Sequence, residues 1–215
     1  TLKNIEIVDQ NPIGRSSRSN PATYSKAYDG IRKIFAQEGE KIDSQIKPSD
    51  FSFNVDGGRC DDCLGEGVKK IEMQFMADLF LECSACKGKR FKKNILEVKH
   101  NGKNIHDVLE LTIEQAIQFF SSASTILKKL KPMFDVGLGY LRLGQSSSTL
   151  SGGEAQRLKL ASYLIEEKSP KNNSLYIFDE PTSGLHNKDI AYFMSSISRL
   201  IDMGNSVVIL SLIHI

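Results

Sequence analysis

Two short stretches restrict this chain to very few folds. Ser148-Thr-Leu-Ser-Gly-Gly-Glu-Ala-Gln-Arg157 sets a Ser-Gly-Gly turn at the head of an apolar-periodic helix, and Leu175-Tyr-Ile-Phe-Asp-Glu-Pro-Thr182 is an apolar strand ending in two adjacent carboxylates. A helix that starts near Gly152 leaves its first N–H groups unpaired and carries partial positive charge there. Ser151 stands at the N-cap, and Gly152 and Gly153 let an anion approach the backbone, so this helix end suits a phosphate. The same residues also read as an ordinary capping box from Ser151 to Glu154. The second stretch favours the phosphate reading. Ligand sites in open α/β sheets lie at the carboxyl ends of strands, and Asp179 and Glu180 emerge at such an end, 25 residues beyond Glu154. Asp179 is suited to hold Mg²⁺ through its water shell, and Glu180 to polarise an attacking water. These are two of the three parts that bind and cleave a nucleoside triphosphate. The third, a G-x-x-x-x-G-K-[ST] loop, does not occur in the 215 residues.

Four cysteines form two pairs, Cys60-Asp-Asp-Cys63 and Cys83-Ser-Ala-Cys86, with nineteen residues between them. That is the spacing of a Cys₄ zinc site. Gly65 and Gly88 follow the two pairs and allow the tight knuckle that turns both sulfurs inward. Disulfides are disfavoured in a chain with no secretion signal. Between the pairs, Val68 to Phe75 and Leu79 to Leu81 read as a short β-hairpin turning at Met76-Ala-Asp78. Zinc would fold this unit, which has little core of its own. Beyond it, Lys87-Gly-Lys-Arg-Phe-Lys-Lys93 holds five cations and one aromatic in seven residues. Lys87, Lys89, Arg90, Lys92 and Lys93 are therefore candidate DNA-backbone contacts, with Lys69 and Lys70 beside them, although a charge run is also an ordinary solvated face.

The rest of the chain supplies an α/β layer. A strand over Leu2–Val8 leads through a polar loop to a helix over about 24–37. A hairpin is expected from Ile95 to His100 around Asn101-Gly102, then helices from Thr112 to about Phe120 and from Thr125 to Asp135, and a loop over 137–145. Helix 153–167, strand 174–179, helix 188–203 and strand 205–210 complete it. His100 and His106 have no partner at ligand spacing and read as surface residues. Gln10, at a strand end before a loop, can reach a metal or a water. A net charge of +2 is too small to argue for nucleic acid alone, and hydrophobic content of 40% is ordinary for a soluble protein. No apolar run has the length of a membrane span and no signal peptide opens the chain, so a cytoplasmic protein is expected. Because the chain begins at Thr1, inside what reads as a strand, it is expected to be cut from something longer.

The motifs resemble one family closely: the A subunit of the bacterial UvrABC excinuclease, in its C-terminal half. The matching text runs from Asp9-Gln-Asn-Pro-Ile-Gly-Arg-Ser-Ser-Arg-Ser-Asn-Pro-Ala-Thr-Tyr24 through Asn54-Val-Asp-Gly-Gly-Arg-Cys60 and Gly137-Leu-Gly-Tyr-Leu-Arg-Leu-Gly-Gln145 to Asp179-Glu-Pro-Thr-Ser-Gly-Leu-His186, covering about residues 1–209. The resemblance implies a partial ABC-type nucleotide-binding domain, an α/β fold with a mixed or parallel sheet and helices, carrying an inserted small Cys₄ zinc module. It implies that Gln10 contacts the metal and the lytic water. Ser151, Gly152, Gly153 and Glu154 would meet the γ-phosphate held by another nucleotide-binding domain. Asp179 and Glu180 would be the Mg²⁺-associated and catalytic carboxylates. Cys60, Cys63, Cys83 and Cys86 would hold zinc in a module tied to DNA and damage recognition. The family is a cytoplasmic dimer of nucleotide excision repair, within the SOS response. It binds lesion-bearing double-stranded DNA, uses ATP, Mg²⁺ and Zn²⁺, loads the B subunit and does not enter membranes.

On this reading residues 1–50 are a partial ATP-binding core, 51–93 the zinc module, 94–145 a hairpin and helical signature subdomain, and 146–209 the signature helix, carboxylate strand and following helix and strand. Two departures matter. The phosphate loop is expected upstream of Thr1, so these residues alone are expected to be inactive. Residues 210–215, Leu-Ser-Leu-Ile-His-Ile, back-translate to the end of a transposon sequencing adapter and are expected to be artefact, with His214 out of register for a γ-phosphate sensor. The alternative function is a zinc-dependent DNA-binding module without turnover. A transporter ATPase lacks the inserted cysteine module, a chromosome-maintenance ATPase would show long heptads, and chaperones with C-x-x-C-x-G-x-G repeats carry four rather than two. An exposed sheet edge is expected to make the isolated chain aggregation-prone.

Overall fold

The computed structural model describes residues 4–13, 18–73, 78–166, 174–182 and 187–211, with residues 166 and 187–189 described in backbone only. In chain order its elements are β1 (Asn4–Val8), α1 (Pro21–Tyr24), α2 (Ala27–Glu40), β2 (Val68–Ile71), β3 (Leu79–Glu82), α3 (Lys93–Glu97), α4 (Ile105–Leu109), α5 (Ile113–Phe119), α6 (Ser124–Met133), α7 (Gly152–Glu166), β4 (Ser174–Asp179), α8 (Asn187–Asp202) and β5 (Ser206–Leu210). They fall into two compact units, one of residues 1–27 and 111–215, the other of 28–110.

The first unit is built on a parallel sheet in the order β1-β4-β5, with Val8 opposite Phe178 and Phe178 opposite Ile209. Val8, Tyr176 and Phe178 are buried on one face. There the Tyr176 ring meets Tyr163 of α7 at 4.8 Å and the Phe178 ring meets Phe193 of α8 at 5.7 Å. The other face carries Ile5, Ile7, Val208 and Leu210, and Ile5 and Ile7 are 63% and 67% exposed. Thr112 begins α5 as expected, and the structure adds a capping box with Gln115. The helices α5 and α6 bury Ile113, Ala116, Ile126, Leu130 and Met133 against Val136, Leu138 and Leu141. A π turn over Phe134–Leu138, where Gly137 takes φ 81°, separates α6 from the loop to α7.

The second unit holds the cysteines. Its α2 buries Tyr28, Ile31 and Phe35 against Phe51 and Phe53, and the Tyr28 hydroxyl donates to the Phe51 carbonyl at 2.7 Å. The hairpin β2–β3 is antiparallel, Val68 opposite Glu82, and exposed along nearly its whole length. Its expected turn lies mostly outside the described residues, as do Ser183–His186 and residues 212–215 with His214.

One element differs from expectation. The hairpin expected over Ile95–His100 is instead the short helix α3, followed by a tight turn in which His100 and Lys103 pair across Asn101-Gly102. The turn signal was real, with Asn101 and Gly102 both at positive φ. Ile95 and Val98, three residues apart, both enter the core, which one helical turn satisfies and an alternating strand does not. The helix expected over 24–37 is split by Lys26 at φ 60° into α1 and α2. Leu210, expected to belong to the artefactual tail, closes β5 opposite Asp179. It does so through its backbone, a role open to any residue but proline.

Candidate nucleotide site and metal centre

In the first unit three chain segments meet at the carboxyl end of the sheet. Gln10 follows β1, Asp179 and Glu180 end and follow β4, and α7 points its first turn at the same place. The Gln10 side-chain amide donates to the Glu180 carbonyl at 3.2 Å. A Cβ on Gly152 would stand 3.0 Å from both the Cβ and Oε1 of Gln10, so this glycine makes room for the glutamine, while nothing lies within 4 Å of the same position on Gly153. Glu180 has φ 46°, a left-handed conformation rare for a side-chain-bearing residue, and its N–H donates to the Leu210 carbonyl at 2.9 Å. Gln10, Gly152, Asp179 and Glu180 are thus neighbours.

The capping reading of the helix start is realised. The Ser151 N–H donates to Glu154 Oε2 at 2.7 Å and the Glu154 N–H to Ser151 Oγ at 3.3 Å. The Tyr140 hydroxyl adds a bond to Glu154 Oε1 at 2.6 Å and accepts one from Arg157 Nη2 at 3.4 Å. Burial pushes the Glu154 carboxyl up, but the bonds from Tyr140 and Ser151 more than offset it and hold the group below its ordinary range. Burial and Glu154 together push Tyr140 up to about 12.

Two residues not singled out from the sequence hold this end together. Gln156, fully buried, donates to the Val8 carbonyl at 2.7 Å and to the Asp179 carbonyl at 3.0 Å, bridging the ends of β1 and β4. Lys159, one turn on, reaches the Asp9–Asn11 loop. No local pattern marks them, since Glu154 and Arg157 place other polar side chains in the same turns of the helix.

In the second unit Cys60, Cys63, Cys83 and Cys86 are all buried, and their sulfurs lie within 4.8 Å of one another. The Cys60–Cys83 and Cys63–Cys86 sulfurs are 4.0 and 3.6 Å apart. Tetrahedral zinc with bonds of about 2.3 Å needs sulfurs about 3.8 Å apart, so the cage fits that ion. Burial pushes Cys83 up, but amide donors from Cys86 and Ala85 and neighbouring thiols bring it down to about 7. Burial and the adjoining thiols push Cys86 up to about 12.

The two knuckles repeat each other. Leu64 and Lys87 have φ 50° and 49°, Gly65 and Gly88 83° and 72°, and Gly67 and Arg90 79° and 71°. The Cys83 N–H donates to the Gly67 carbonyl at 2.9 Å, and the Cys60 N–H to the Arg90 carbonyl at 2.8 Å, so each knuckle is closed by the other's backbone. Arg90 takes the glycine-like conformation although it is not glycine. Its guanidinium lies 5.7 Å over the Phe53 ring, which sets it apart from the exposed cations. Lys92 pairs with Asp61 at 2.9 Å, Lys69 with Asp62, and Lys70 with Glu72 and Asp78. Among the described residues Lys87, Lys89 and Lys93 are exposed and make no ion pair.

His100 is not a free surface residue. Its Nδ1 lies 3.0 Å from Glu38 Oε1, and its ring is edge-on to Phe35 at 6.3 Å. His106 is half-buried, and burial lowers its pKa from the ordinary imidazole range. No helix among the described residues is long and apolar enough to cross a membrane.

No protein-family profile matches the chain. Individual relatives do. The chain is 52% identical over 203 residues to UvrABC system protein A of Clostridium tetani, covering 94% of this chain and 21% of that protein. It is 54% identical over 209 residues to UvrABC system protein A of Thermus thermophilus, covering 97% and 22%. Its fold is that of UvrA2 from Deinococcus radiodurans, with a TM-score of 0.91 and 43% identity over 98% of this chain and 26% of that one. The chain spans about a fifth of the length of the curated relatives it matches. Identity of about one half sustained along nearly the whole chain, joined to a shared α/β architecture, makes it a segment belonging to the UvrABC system protein A family.

Proposed function

We propose that this chain is part of an ABC-type ATPase that recognises damaged double-stranded DNA in nucleotide excision repair. The observation that carries the reading is the meeting of Gln10, Gly152, Asp179 and Glu180 at one end of the parallel sheet. In this role Asp179 holds Mg²⁺ through water, Glu180 orients the water that attacks the γ-phosphorus, and Gln10 senses both. The first turn of α7, with Ser151, Gly152, Gly153 and Glu154, meets the γ-phosphate of a second nucleotide-binding domain, which implies a dimer. ATP and Mg²⁺ are the cofactors of turnover. Zn²⁺ is structural, held by Cys60, Cys63, Cys83 and Cys86. The whole protein loads a B subunit and works in the cytoplasm as part of the damage response. The phosphate loop absent from these 215 residues must be supplied by another part of the polypeptide, so the chain by itself is expected to be inactive.

Phosphate release from a polypeptide that joins this chain to such a loop tests the reading. Glu180→Gln should abolish turnover and keep nucleotide binding; turnover within about twofold of wild type would sink it.

The second reading, a zinc-dependent DNA-binding module without turnover, is favoured by the buried sulfur cage beside exposed lysines. The acids and bases of residues 28–110 nearly balance, fifteen against fourteen, so DNA affinity must come from the local cluster. Three unpaired lysines predict a slope of log K against log salt of about −3. Anisotropy of labelled duplex DNA should give that slope and lose binding on chelation. A salt-independent signal would count against both Lys87–Lys93 and the module.

A further inference from the structure

The side chain of Lys159 is only 17% exposed, and all three of its N–H donors have acceptors. Its ammonium donates to the Asp9 carbonyl at 3.1 Å, to Asp9 Oδ1 at 2.5 Å and to the Asn11 carbonyl at 3.0 Å. These acceptors flank Gln10 on both sides. Asp9 is braced in turn, accepting from the Asn11 N–H at 3.3 Å on Oδ1 and from the Asn11 side-chain amide on Oδ2. One turn earlier on α7, Gln156 grips the Val8 and Asp179 carbonyls. The backbone from Val8 to Asn11 is therefore held from α7 at three carbonyls, and the Gln10 side chain is left to lie between Gly152 and Glu180.

We propose that Lys159 is a positioning residue, which with Asp9 fixes the Gln10 loop to α7 so that helix, loop and carboxylate strand move as one body. The idea rests on the nucleotide reading and deepens it. An anion seated at the first turn of α7 pushes on a rigid rod, and Lys159 lies about 10 Å along that rod at 1.5 Å per residue. Through it, displacement at the helix end that faces one nucleotide reaches the glutamine and carboxylates that serve another. An apolar side chain at this position could fill the space, but it could not grip carbonyls. A half-buried ammonium is retained at a desolvation cost that only such acceptors offset.

A longer soluble polypeptide that carries this chain, isotope-labelled, provides the test. Lys159→Met should speed hydrogen exchange at the Asn11 amide about tenfold, the loss of one charge-assisted hydrogen bond's worth of restraint. Lys159→Arg should restore the slow exchange, and α7 and β4 amides should stay within about twofold throughout. Asp9→Asn, at a 40% exposed side chain, repeats the exchange test without disturbing the core. Unchanged exchange at Asn11, or an equal rise along all of α7, would overturn the proposal. In a polypeptide with turnover, Lys159→Met should lower kcat with KM unchanged; an unchanged kcat also overturns it. A wild-type protein that releases no phosphate defeats the nucleotide reading instead, and the exchange result then decides the loop-fixing role alone.

Discussion

The two knuckle glycines offer a controlled comparison. Gly65 and Gly88 stand at matching places, each two residues after a cysteine pair, with φ 83° and 72°. Alanine at either position carries the same left-handed penalty, about 1–2 kcal/mol. Their surroundings differ. A Cβ at Gly88 would have Glu82 Cγ as its nearest neighbour at 3.6 Å, an ordinary contact, whereas at Gly65 it would meet the Phe53 carbonyl oxygen at 2.4 Å and Phe53 Cβ at 2.9 Å. Phe53 is fully buried and its ring packs at a tilt against Tyr28, so it has nowhere to go, and forcing it aside adds about 1–3 kcal/mol. Gly88→Ala should therefore lower the Tm of the zinc-loaded unit by about 4–16 °C, at about 4–8 °C per kcal/mol for a unit of this size. Gly65→Ala should lower it about one and a half to four times as far. Scanning calorimetry with saturating zinc reads the first effect. Competition with a chromophoric chelator reads the second, since strain confined to the folded state appears as weaker metal binding. Equal losses at the two glycines would refute the reasoning, for they would mean that backbone conformation alone sets the cost.

Stripping the metal with a strong chelator should expose the Cys60, Gly67 and Cys83 amides to fast hydrogen exchange while β4 amides remain protected; uniform protection would mean the sulfur cage is not what folds this unit. Replacing Cys83 with serine should reduce bound zinc, measured by atomic emission, from one ion per chain to a small fraction. Gln156→Leu should cost about 2–4 kcal/mol in urea unfolding, because it leaves the Val8 and Asp179 carbonyls unpaired; a loss under about 0.5 kcal/mol would show that water replaces the amide. Glu38 is held below the ordinary carboxylate range, first by Lys41 and then by His100. Its contribution is therefore present in full above that range and lost as pH falls through the depressed value. Glu38→Gln should flatten the stability–pH curve on the acid side by no more than about 1 kcal/mol, read from urea midpoints between acid and neutral pH.

What the sequence disclosed was mostly local chemistry. Ser151 and Thr112 announce their helices because a cap is a bond between residues three apart. The cysteine pairs announce a metal because ligand spacing is itself local. The apolar strand 174–179 and helix 188–203 follow from runs long enough to carry a period. What stayed hidden depends on contacts across great sequence distance. Gln156 and Lys159 both reach the Val8–Asn11 segment almost 150 residues away, and nothing near them in the chain says so. Arg90 looked like one more cation in a basic run, yet Phe53 draws it inward. His100 lacked a neighbour at ligand spacing because its partner, Glu38, sits on a different helix. The Asn101-Gly102 turn was legible, but the strands inferred around it were not there, since a turn signal fixes a reversal and not what leads into it.

The crossed closure of the two knuckles gives the hairpin between them an unusual freedom. Gly67 and Cys83 mark where the ribbon leaves and re-enters the cage, and that gate is held by the packed sulfurs and by backbone amide bonds that do not involve the ribbon's own side chains. The anchorage is thus independent of what it anchors. The ribbon could be lengthened, shortened or rewritten between those two residues with little effect on whether the frame forms. Selection on β2 and β3 is then free to follow whatever surface they touch, much as an interchangeable blade is shaped for its work and not for its handle.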